Sequence, residues 1–574
     1  MFLPTTREEM DKLGWDKLDV ILVSGDTYFD SSYIGVAVIG RVLTDAGFRV
    51  GIIAQPEVDS YEDITRLGEP EIFWGVSAGS VDSMVANYTA TKKRRKNDDF
   101  TPGAVNNRRP DRATIVYTNL VRRNFKNTKP IVLGGIEASL RRIAHYDYWS
   151  NKIRKSILFD SKADYLLYGM AEAPVLQLAN GLRDGGEVKN IRGLCYISVQ
   201  PPKDYIELQT FDLVSKDQDA FIKMFRTFYY NTDLIKGKGL YQKYDNRYLI
   251  QNPPTELPSE KELDHIYELG FKNSVHPYYK SQGEVRALDT IQFSVTTHRG
   301  CYGECNFCAI TMHQGRTISS RSEKSVISEV EGFIDHQDFR GIVRDVGGPT
   351  ANMYGFECDI KLSKGCCDKK MCIFPNVCKQ LKVNHSPQTK LLKKLRNIDG
   401  IKRVFVASGI RYDAVMADKN NGDDYIKELV GHHVSGQMKL APEHSEKKVL
   451  NLMGKPGTES LLKFKKKFDG ISKSIGKKQF LTYYLIAAHP GCGISEMQSL
   501  KDFTSKELKL TPEQVQVFIP LPSTWSSVMY YTGKNPFTGN DIFVEKDMSA
   551  KEKQKKLITG KVRARRDMPK PRKR

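Results

Sequence analysis

Short apolar runs alternate with stretches of helical periodicity from Asp19 to Gly169, a pattern that few folds share. Between the first two runs, GVAVIGRVLTDAG has the apolar spacing of a helix and ends at Gly47, a typical helix stop. Strand, helix and strand repeated in this way predict a parallel, doubly wound sheet. The predicted strands are DVILVSG (19–25), RVGIIA (49–54), EIFWGV (71–76), TIVYT (114–118), IVLGG (131–135) and DYLLYG (164–169).

The alternation weakens between residues 200 and 289, where prolines concentrate, and resumes at Thr290. The later strand-helix units predict a partial (β/α) barrel, in which chemistry belongs to the loops that follow the strands. The predicted barrel strands are IQFSVTT (291–297), GIVRDVGG (341–348), RVFVASG (403–409), GQMKLAPE (436–443), FLTYYLIAAHPG (480–491) and VQVFIPLP (515–522).

The chain has 574 residues, more than the roughly 250 to 300 that one hydrophobic core serves. We therefore predict an α/β protein of several regions. They are a doubly wound N-terminal domain (1–199), a connecting region (200–289), a partial barrel (290–545) with an inserted cysteine-rich segment (357–379), and a basic C-terminal tail (546–574).

Lysine and arginine outnumber aspartate and glutamate by 88 to 68, a net charge of +20. Part of the excess lies in KKRRK (92–96) and much of it in the tail. Such runs usually form solvated segments, and RNA or another polyanion is the alternative partner. No long apolar run and no signal-peptide core are present, so we predict a cytoplasmic protein without a membrane partner.

Three of the ten cysteines, Cys301, Cys305 and Cys308, follow the first predicted barrel strand with the spacing CxxxCxxC. A 4Fe-4S cluster normally takes four thiolates, so three would leave one iron open to a substrate. The alternatives are a zinc knuckle completed by His298 or His313, and reduced cysteines that lie close together without a metal. Structural zinc sites usually use paired CxxC ligands, and the spacing therefore favours the iron-sulfur interpretation.

Phe307, an aromatic residue, immediately precedes the third cysteine. With it, the motif resembles that of the radical S-adenosylmethionine (SAM) enzymes. The resemblance implies a 4Fe-4S cluster whose open iron binds SAM, and an external one-electron reductant of the flavodoxin or ferredoxin type. Reduction would cleave SAM, and the 5′-deoxyadenosyl radical would abstract hydrogen from a substrate that the motif does not identify.

The resemblance extends to two further places in the predicted barrel. In the family, a glycine-rich segment at the end of the second strand receives the SAM amino group, which corresponds to Gly347 and Gly348. Pro349 stands where many members have glutamate. The fourth strand often supplies a polar residue to the ribose, which corresponds to Glu443.

Segments along nearly the whole chain narrow the resemblance to the YgiQ-type radical SAM proteins. They occur here in the same order as in that family. They are SSYIGVAVIGRVLTDAGFRVGIIAQP, IVLGGIEASLRR, QNPP, GCYGECNFCAIT, GRTISSRS, VGGPTANMYG, LAPEH, AHPG and MYYTGKNP.

Several radical SAM families carry a cobalamin-binding domain in front of the barrel, with the fingerprint DxHxxG. The corresponding stretch here is DSSYIG, in which Asp30 and Gly35 fit and Ser32 stands at the histidine position. Serine does not replace an imidazole as a cobalt ligand at neutral pH. We therefore expect a cobalamin-domain-like fold for which cobalamin is an unlikely cofactor, and cobalamin binding without a histidine ligand is the alternative.

A second group of cysteines follows the second predicted barrel strand, in ECDIKLSKGCCDKKMCIFPNVCK. The surrounding lysines are expected to favour thiolates. A zinc site or an auxiliary iron-sulfur cluster is one interpretation, and a mixture of structural and free thiols is the other. The tentative ligands are Cys358, Cys366, Cys367, Cys372 and Cys378.

The predicted function is thus that of a radical SAM enzyme of unknown specific reaction. The positive charge favours a methylthiotransferase-like modification of RNA as one alternative. A non-catalytic iron-sulfur or zinc protein is the other. An open iron site argues against an electron carrier, which gains nothing from it.

Overall fold

The computed structural model describes residues 1–559, which form a mixed α/β fold around a large, mostly parallel sheet. The strands of the first half are β1 (Val20–Ser24), β2 (Phe29–Asp30), β3 (Val50–Ala54), β4 (Phe73–Ser77), β5 (Ile131–Gly134), β6 (His145–Asp147), β7 (Lys152–Arg154), β8 (Tyr165–Leu167), β9 (Leu194–Ser198), β10 (Ile206–Leu208), β11 (Leu240–Tyr244), β12 (Arg247–Gln251) and β13 (Ser274–Val275). Its helices are α1 (Arg7–Lys12), α2 (Gly35–Asp45), α3 (Glu62–Thr65), α4 (Ser83–Asn87), α5 (Ala113–Asn124), α6 (Gly135–Leu140), α7 (Ile157–Ser161), α8 (Glu172–Arg183), α9 (Phe211–Val214), α10 (Gln218–Tyr230), α11 (Glu260–Tyr267), α12 (Pro277–Lys280) and α13 (Leu288–Ile291).

The second half continues the alternation of strands and helices. Its strands are β14 (Ser294–Thr296), β15 (His298–Arg299), β16 (Ser319–Ser320), β17 (Ile342–Val343), β18 (Asp345–Gly347), β19 (Arg403–Val404), β20 (Gln437–Glu443), β21 (Phe480–Ala487) and β22 (Gln516–Val517). Its helices are α14 (Ile310–Gln314), α15 (Glu323–Gly332), α16 (Asp359–Lys364), α17 (Ser386–Arg396), α18 (Tyr412–Ala417), α19 (Gly422–Glu428), α20 (Lys447–Met453), α21 (Glu459–Ser474), α22 (Ile494–Lys506), α23 (Trp525–Thr532) and α24 (Met548–Ile558).

The large sheet has nine strands in the order β3-β1-β4-β5-β8-β9-β12-β11-β10. The strands from β3 to β8 are parallel, with Val20 opposite both Val50 and Phe73. Strands β9 and β12 then pair antiparallel, and β10 and β11 complete the edge. The predicted boundary at residue 199 therefore falls inside the sheet, because the region from 200 to 251 supplies three of its strands.

Both faces of this sheet are buried, as the continuous apolar strands predict. In β1, Val20 and Leu22 face the core that includes α2 and α8, whereas Ile21 and Val23 face the core that includes α5. A strand without a polar face fits only between two layers of helices. Two layers of helices therefore cover the two faces of the sheet.

One predicted strand, TIVYT, was wrong, because these residues lie in α5. Its β-branched residues favour a strand in isolation. Thr114, Tyr117, Thr118 and Val121 are nevertheless buried at helical spacing, so one side of the segment packs as a helix against the sheet. Tertiary packing therefore overrides local strand propensity here.

Apart from β15 and β16, which pair antiparallel, the strands of the second half pair in parallel and largely in chain order. Strand β14 pairs with β18, β17 with β19, and β20 with β21, which pairs with β22. A parallel bridge between Ile410 and Leu440 links the third predicted strand to the fourth. All of these strands therefore end on one side of the second half.

The start of the predicted basic tail is packed rather than solvated. Helix α24 buries Lys551, Gln554 and Ile558, which are spaced along one face. Thr91 donates a hydrogen bond to Glu552 of this helix at 3.0 Å, so α24 contacts the first half of the chain. Residues 560–574 of the predicted tail lie outside the described residues. In the described part, no helix is long and apolar enough to cross a membrane.

A buried lysine gives this helix a pH dependence that can be tested. Lys551 lies against the rings of Tyr148 and Tyr530, and burial lowers its pKa from 10.5 to about 8. Between these two pH values the folded chain binds fewer protons than the unfolded chain, so this group makes the protein more stable as pH rises. We expect the free energy of unfolding of the wild type, relative to Lys551→Met, to increase between about pH 7 and 9.5.

Urea unfolding at both pH values measures this difference. The exposed Lys553 on the same helix provides the control, because a Lys553→Met change should leave the pH slope as it is in the wild type. Equal slopes for all three proteins would contradict a lowered pKa at Lys551.

Candidate active site

The three cysteines of the CxxxCxxC motif lie on a loop between β15 and α14. Gly300 begins the loop with a φ of +84°, and a Cβ there would lie 2.1 Å from the carbonyl oxygen of Thr317. Further along, the backbone N–H of Asn306 donates to the carbonyl of Met453 at 2.9 Å, and its side-chain amide donates to that of Leu452 at 2.9 Å. The loop is thus held at both its start and its middle by neighbouring backbone.

The three thiols are free and partly exposed. The N–H of Gly303 donates to Sγ of Cys301 at 3.4 Å, and Oγ1 of Thr350 lies 3.6 Å from the same sulfur. Burial raises the pKa of Cys308 to about 12, and neighbouring Cys305 raises it further. Burial and then Cys305 likewise raise the pKa of Cys301. The thiols therefore lie close enough to repel one another as thiolates, an arrangement that a bound cation would stabilise.

Across residues 1–559, no set of three or more His, Cys, Asp or Glu side chains stands in a ready-made metal geometry. The chemistry of the donors nevertheless fits an iron-sulfur cluster, which Cys thiolates hold. The two histidines of the zinc alternative point elsewhere: His298 lies beneath Gly348, and Nδ1 of His313 is 3.1 Å from Oγ of Ser139.

An arginine that the motifs did not identify lies beside the loop. Nη1 of Arg411 is 3.6 Å from Sγ of Cys305, and its guanidinium also forms a two-point ion pair with Asp413. Burial alone would raise the pKa of Asp413, but Arg411 lowers it instead. The pair thus keeps a positive charge next to the cysteine loop. Arg411 follows directly after the third predicted barrel strand, in ASGIRYD, and this position was the signal in the sequence that could have identified it.

Gly347 ends β18 and Gly348 follows it, next to β14, the strand that precedes the cysteine loop. Gly347 stands opposite Thr296, and its carbonyl accepts the N–H of Thr297 at 2.7 Å. A Cβ at Gly348 would lie 2.6 Å from Nε2 and 2.8 Å from the carbonyl oxygen of His298. Only glycine allows this approach of the two strand ends.

Buried beneath this contact, His298 has no hydrogen-bond partner for Nε2 among the described residues. Burial lowers its pKa to about 4, so the ring is neutral at physiological pH. The ring therefore acts as a packing surface for the glycine segment.

Glu443 lies at the end of β20 with a φ of +67°, a backbone conformation that is costly for a residue with a side chain. Its carboxylate is buried, and Nζ of Lys455 lies 3.9 Å from Oε1. Burial raises its pKa, against the opposing charges of Lys455 and Arg411. Cys308 is among the groups whose pKa this carboxylate affects, which puts Glu443 near the cysteine loop.

Phe307 packs against a buried histidine rather than facing open space. Its ring centroid is 6.2 Å from that of His489, in an edge-to-face arrangement. Nδ1 of His489 lies 2.9 Å from the carbonyl of Pro490, and Nε2 lies 2.7 Å from Oγ of Ser526. Both ring nitrogens are thus engaged, and Phe307 helps to fix the loop on the core.

The second cysteine group is only partly gathered. Cys366 and Cys372 both raise the pKa of Lys361, whose Nζ is 3.8 Å from Sγ of Cys372. Cys358 is buried in the same small core as Cys372, whereas Cys367 is exposed. Cys378 contacts the group through its backbone, because its N–H donates a hydrogen bond to the carbonyl of Cys372 at 2.8 Å.

At Cys366 and Cys372 the lysines do not favour the thiolate, contrary to our expectation, because burial raises the pKa of both thiols. Burial raises the pKa of Cys372 to about 12 and outweighs the nearby Lys361. It also raises the pKa of Cys366 above its ordinary value, against the charges of Arg316 and Lys361. The assignment of a second metal site stays a prediction.

Comparisons with known proteins place the chain in a family. The Radical SAM N-terminal family matches residues 2–294, a span that contains the nine-stranded sheet. A UPF0313 protein of Fusobacterium nucleatum is 60% identical over 561 residues, which cover 98% of this chain and 99% of that protein. A UPF0313 protein of Thermotoga neapolitana is 50% identical over 568 residues, with 98% and 100% covered.

These matches define the class: the chain is a radical SAM enzyme. Within that class, it belongs to the UPF0313 protein family.

Solved structures with a similar course of the chain include two radical SAM enzymes. One is the methyltransferase TsrM of Kitasatospora setae with cobalamin and a [4Fe-4S] cluster bound, with a TM-score of 0.49 and 14% identity over 89% of this chain and 77% of that one. The other is OxsB with aqua-cobalamin and SAM bound, with a TM-score of 0.48 and 11% identity over 95% of this chain and 58% of that one.

Both structures contain bound cobalamin, which contradicts our expectation that cobalamin is an unlikely cofactor. That expectation relied on Ser32 at the histidine position alone. A missing lower ligand is no ground for excluding the cofactor from a domain of this architecture.

The tight contact beneath Gly348 gives a prediction about stability. A Gly348→Ala change adds a methyl group where the carbonyl of His298 cannot move away, and we expect it to destabilise the protein by about 1–3 kcal/mol. Thermal unfolding measures the loss. Gly409, at the end of the next predicted strand, has open space around its Cβ position, so Gly409→Ala is the matched control. Equal melting temperatures for the two variants would contradict the close contact.

Proposed function

We propose that the chain uses a 4Fe-4S cluster, held by Cys301, Cys305 and Cys308, to cleave SAM reductively and abstract hydrogen from a substrate. The observation that carries this proposal is the convergence of three mutually repelling thiols on one backbone-anchored loop. Three ligands for four irons leave one iron for SAM.

The proposal includes the architecture. We infer that the parallel strands of the second half form a partial barrel, and that the large sheet is a doubly wound, cobalamin-domain-like unit. Pairing in chain order and burial of both sheet faces support this inference. In such a barrel, residues after the strands face the reacting groups, as the cysteine loop, Gly348, Arg411 and Glu443 all do by their position in the chain.

Each residue of the site has a distinct role in this proposal. When bound, the cluster supplies one electron to SAM from an external reductant of the flavodoxin or ferredoxin type. Arg411 offsets thiolate charge beside Cys305. The SAM amino group lies against the backbone of Gly347 and Gly348, and the carboxylate of Glu443 accepts a hydrogen bond from a ribose hydroxyl.

The reaction balances with one electron per SAM. The electron breaks the C5′–S bond, which gives methionine and a 5′-deoxyadenosyl radical. That radical takes one hydrogen atom from the substrate and leaves as 5′-deoxyadenosine. The identity of the substrate decides the fate of the substrate radical.

Serine at any one of the three loop cysteines should abolish 5′-deoxyadenosine formation, because a hydroxyl does not replace a thiolate as an iron ligand. The measurement is product formation by anaerobically reconstituted protein with SAM and dithionite. Cys195→Ala removes a buried thiol of β9 in the large sheet and serves as the control. Product formation by all three serine variants would refute the cluster ligands.

Metal analysis of the same samples addresses the rival functions. Four irons per chain match the proposal, whereas zinc in place of iron would favour a structural zinc protein. Iron without SAM cleavage would favour an electron carrier. Iron beyond four, or zinc in addition to four irons, would support the predicted second metal site in segment 357–379.

Glu443 is expected to act on SAM binding and not on the cluster. We predict that Glu443→Gln raises the KM for SAM by about tenfold, because hydrogen bonds to charged groups contribute about 1.5–3 kcal/mol. The iron content should stay that of the wild type. Glu446→Gln, three residues along the chain, is the control. An unchanged KM in Glu443→Gln would remove this residue from the proposed SAM site.

A further inference from the structure

A cavity of about 480 Å³ lies between the two halves of the chain. One wall is the carboxyl edge of the large sheet, where Ser24, Ser77 and Gly134 end β1, β4 and β5. The other wall includes Thr296 and Gly348, at the ends of β14 and β18. The cavity therefore joins the carboxyl ends of both sets of parallel strands.

The cavity lies where the strand order of the large sheet reverses. After β1 the chain moves to β3 on one side, and it then returns to β4 on the other side. Neighbouring loops diverge at such a point and leave a crevice, where ligands bind in open α/β sheets.

Glycine backbone forms much of the first wall. A Cβ added at Gly134 or Gly35 would meet no atom within 4 Å, because both positions face open space. Gly79, Gly135 and Gly169 also line the cavity. At these glycine positions no side chain stands in the way, so a ligand face can approach the backbone closely, and apolar side chains such as Ile34, Val76 and Leu133 form the rest of the wall.

The charged groups in the walls leave no free cation for an anionic ligand. Among the described residues that line the cavity, Arg299 is the single arginine and there is no lysine. Arg299 forms an ion pair with Glu172. Burial lowers the pKa of His313 to about 4, so this ring adds no positive charge at physiological pH. Asp345 forms no ion pair among residues 1–559, but its carboxylate accepts hydrogen bonds from the N–H groups of Ala407 at 2.7 Å and Ser408 at 3.1 Å and from the hydroxyl of Ser408.

We propose that this cavity binds a small organic molecule with a broad, mostly apolar face that is neutral or cationic. Its volume is within the roughly 300–1,000 Å³ typical of small-molecule sites, and a polymer would not fit inside it. The lack of a free cation in the described lining disfavours phosphate groups, and the negative charge of Asp345 is compatible with a neutral or cationic ligand but not with an anionic one. The size and charge of the cavity thus exclude RNA as its ligand, although the chain is basic overall.

The cavity reaches the proposed catalytic centre through one short segment. Gly348 and Pro349 line it, and the next residue, Thr350, lies 3.6 Å from Sγ of Cys301. If the proposed function holds, the bound molecule lies next to the radical and is either the substrate or a corrinoid cofactor. A neutral substrate has the chemistry that the walls favour throughout, whereas a corrinoid has it only in its ring, because its nucleotide tail carries a phosphate.

The test uses Nile red, a flat and neutral dye, with the full chain as purified. We expect saturable binding of one dye per chain, and Gly134→Trp should weaken it by about tenfold or more, because the indole fills the cavity. Gly470→Trp is the matched control, since this exposed glycine of α21 also has open space around its Cβ position. Gly35→Phe fills the cavity from α2 and repeats the test if Gly134→Trp does not fold.

Two competitors distinguish the sources of the ligand. Displacement of the dye by hydroxocobalamin assigns the cavity to a corrinoid, and its failure to displace the dye assigns the cavity to a non-corrinoid substrate. Equal dye binding by wild type and both cavity variants, or displacement by transfer RNA, would overturn the inference. Dye binding needs no cluster, so loss of SAM cleavage with intact binding would contradict the proposed function alone.

Discussion

Hydrogen bonds between the ends of successive parallel strands hold the candidate site together. The N–H of Thr297 reaches Gly347 at 2.7 Å, that of Ala351 reaches Gly409 at 3.0 Å, and that of Ile410 reaches Lys439 at 3.1 Å. Each bond fixes one strand end on the next, so the loops that follow have little freedom to separate. The cysteine loop, the glycine segment, Arg411 and Glu443 are therefore neighbours although the sequence separates them widely.

Buried charge at the site is balanced locally. Arg411 lies between the thiol of Cys305 and the carboxylate of Asp413, and Lys455 approaches Glu443. An unpaired charge in such surroundings is strongly unfavourable, so these pairs depend on each other. Three thiolates brought together would disturb this balance unless iron compensated their charge.

Much of the fold follows from the periodicity of the sequence, and much of the site from one motif. Val20–Ser24 and Val50–Ala54 are continuous apolar runs between helical patterns, and both form the strands that were predicted. TIVYT was mistaken for a strand because it is rich in β-branched residues, although Thr114, Tyr117 and Thr118 are buried at helical spacing. The strands from β10 to β12 were missed because polar residues interrupt their apolar pattern, and β10 has only three residues.

Within the site, the motif could identify the cysteines but not the residues that position them. Arg411 carries no local signal beyond its place after a strand, and its contact with Cys305 spans 106 residues of sequence. The strained backbone of Glu443 is likewise invisible in the sequence, because it results from a register shift between β20 and β21 at Leu440 and Glu443. Long-range packing, which periodicity does not encode, supplies both.

The two halves of the chain are joined at the edges where their strands end. Arg299 of β15 pairs with Glu172 of α8 and stacks over Tyr267, and Ser523 donates a hydrogen bond to the carbonyl of Leu140 at 2.7 Å. A buried ion pair requires close partners on both sides, so the halves cannot drift apart without leaving charges unpaired. The crevice of one sheet is thereby kept facing the catalytic loops of the other. A ligand held by the first half would then present an edge to the cysteine loop without any large movement of the chain.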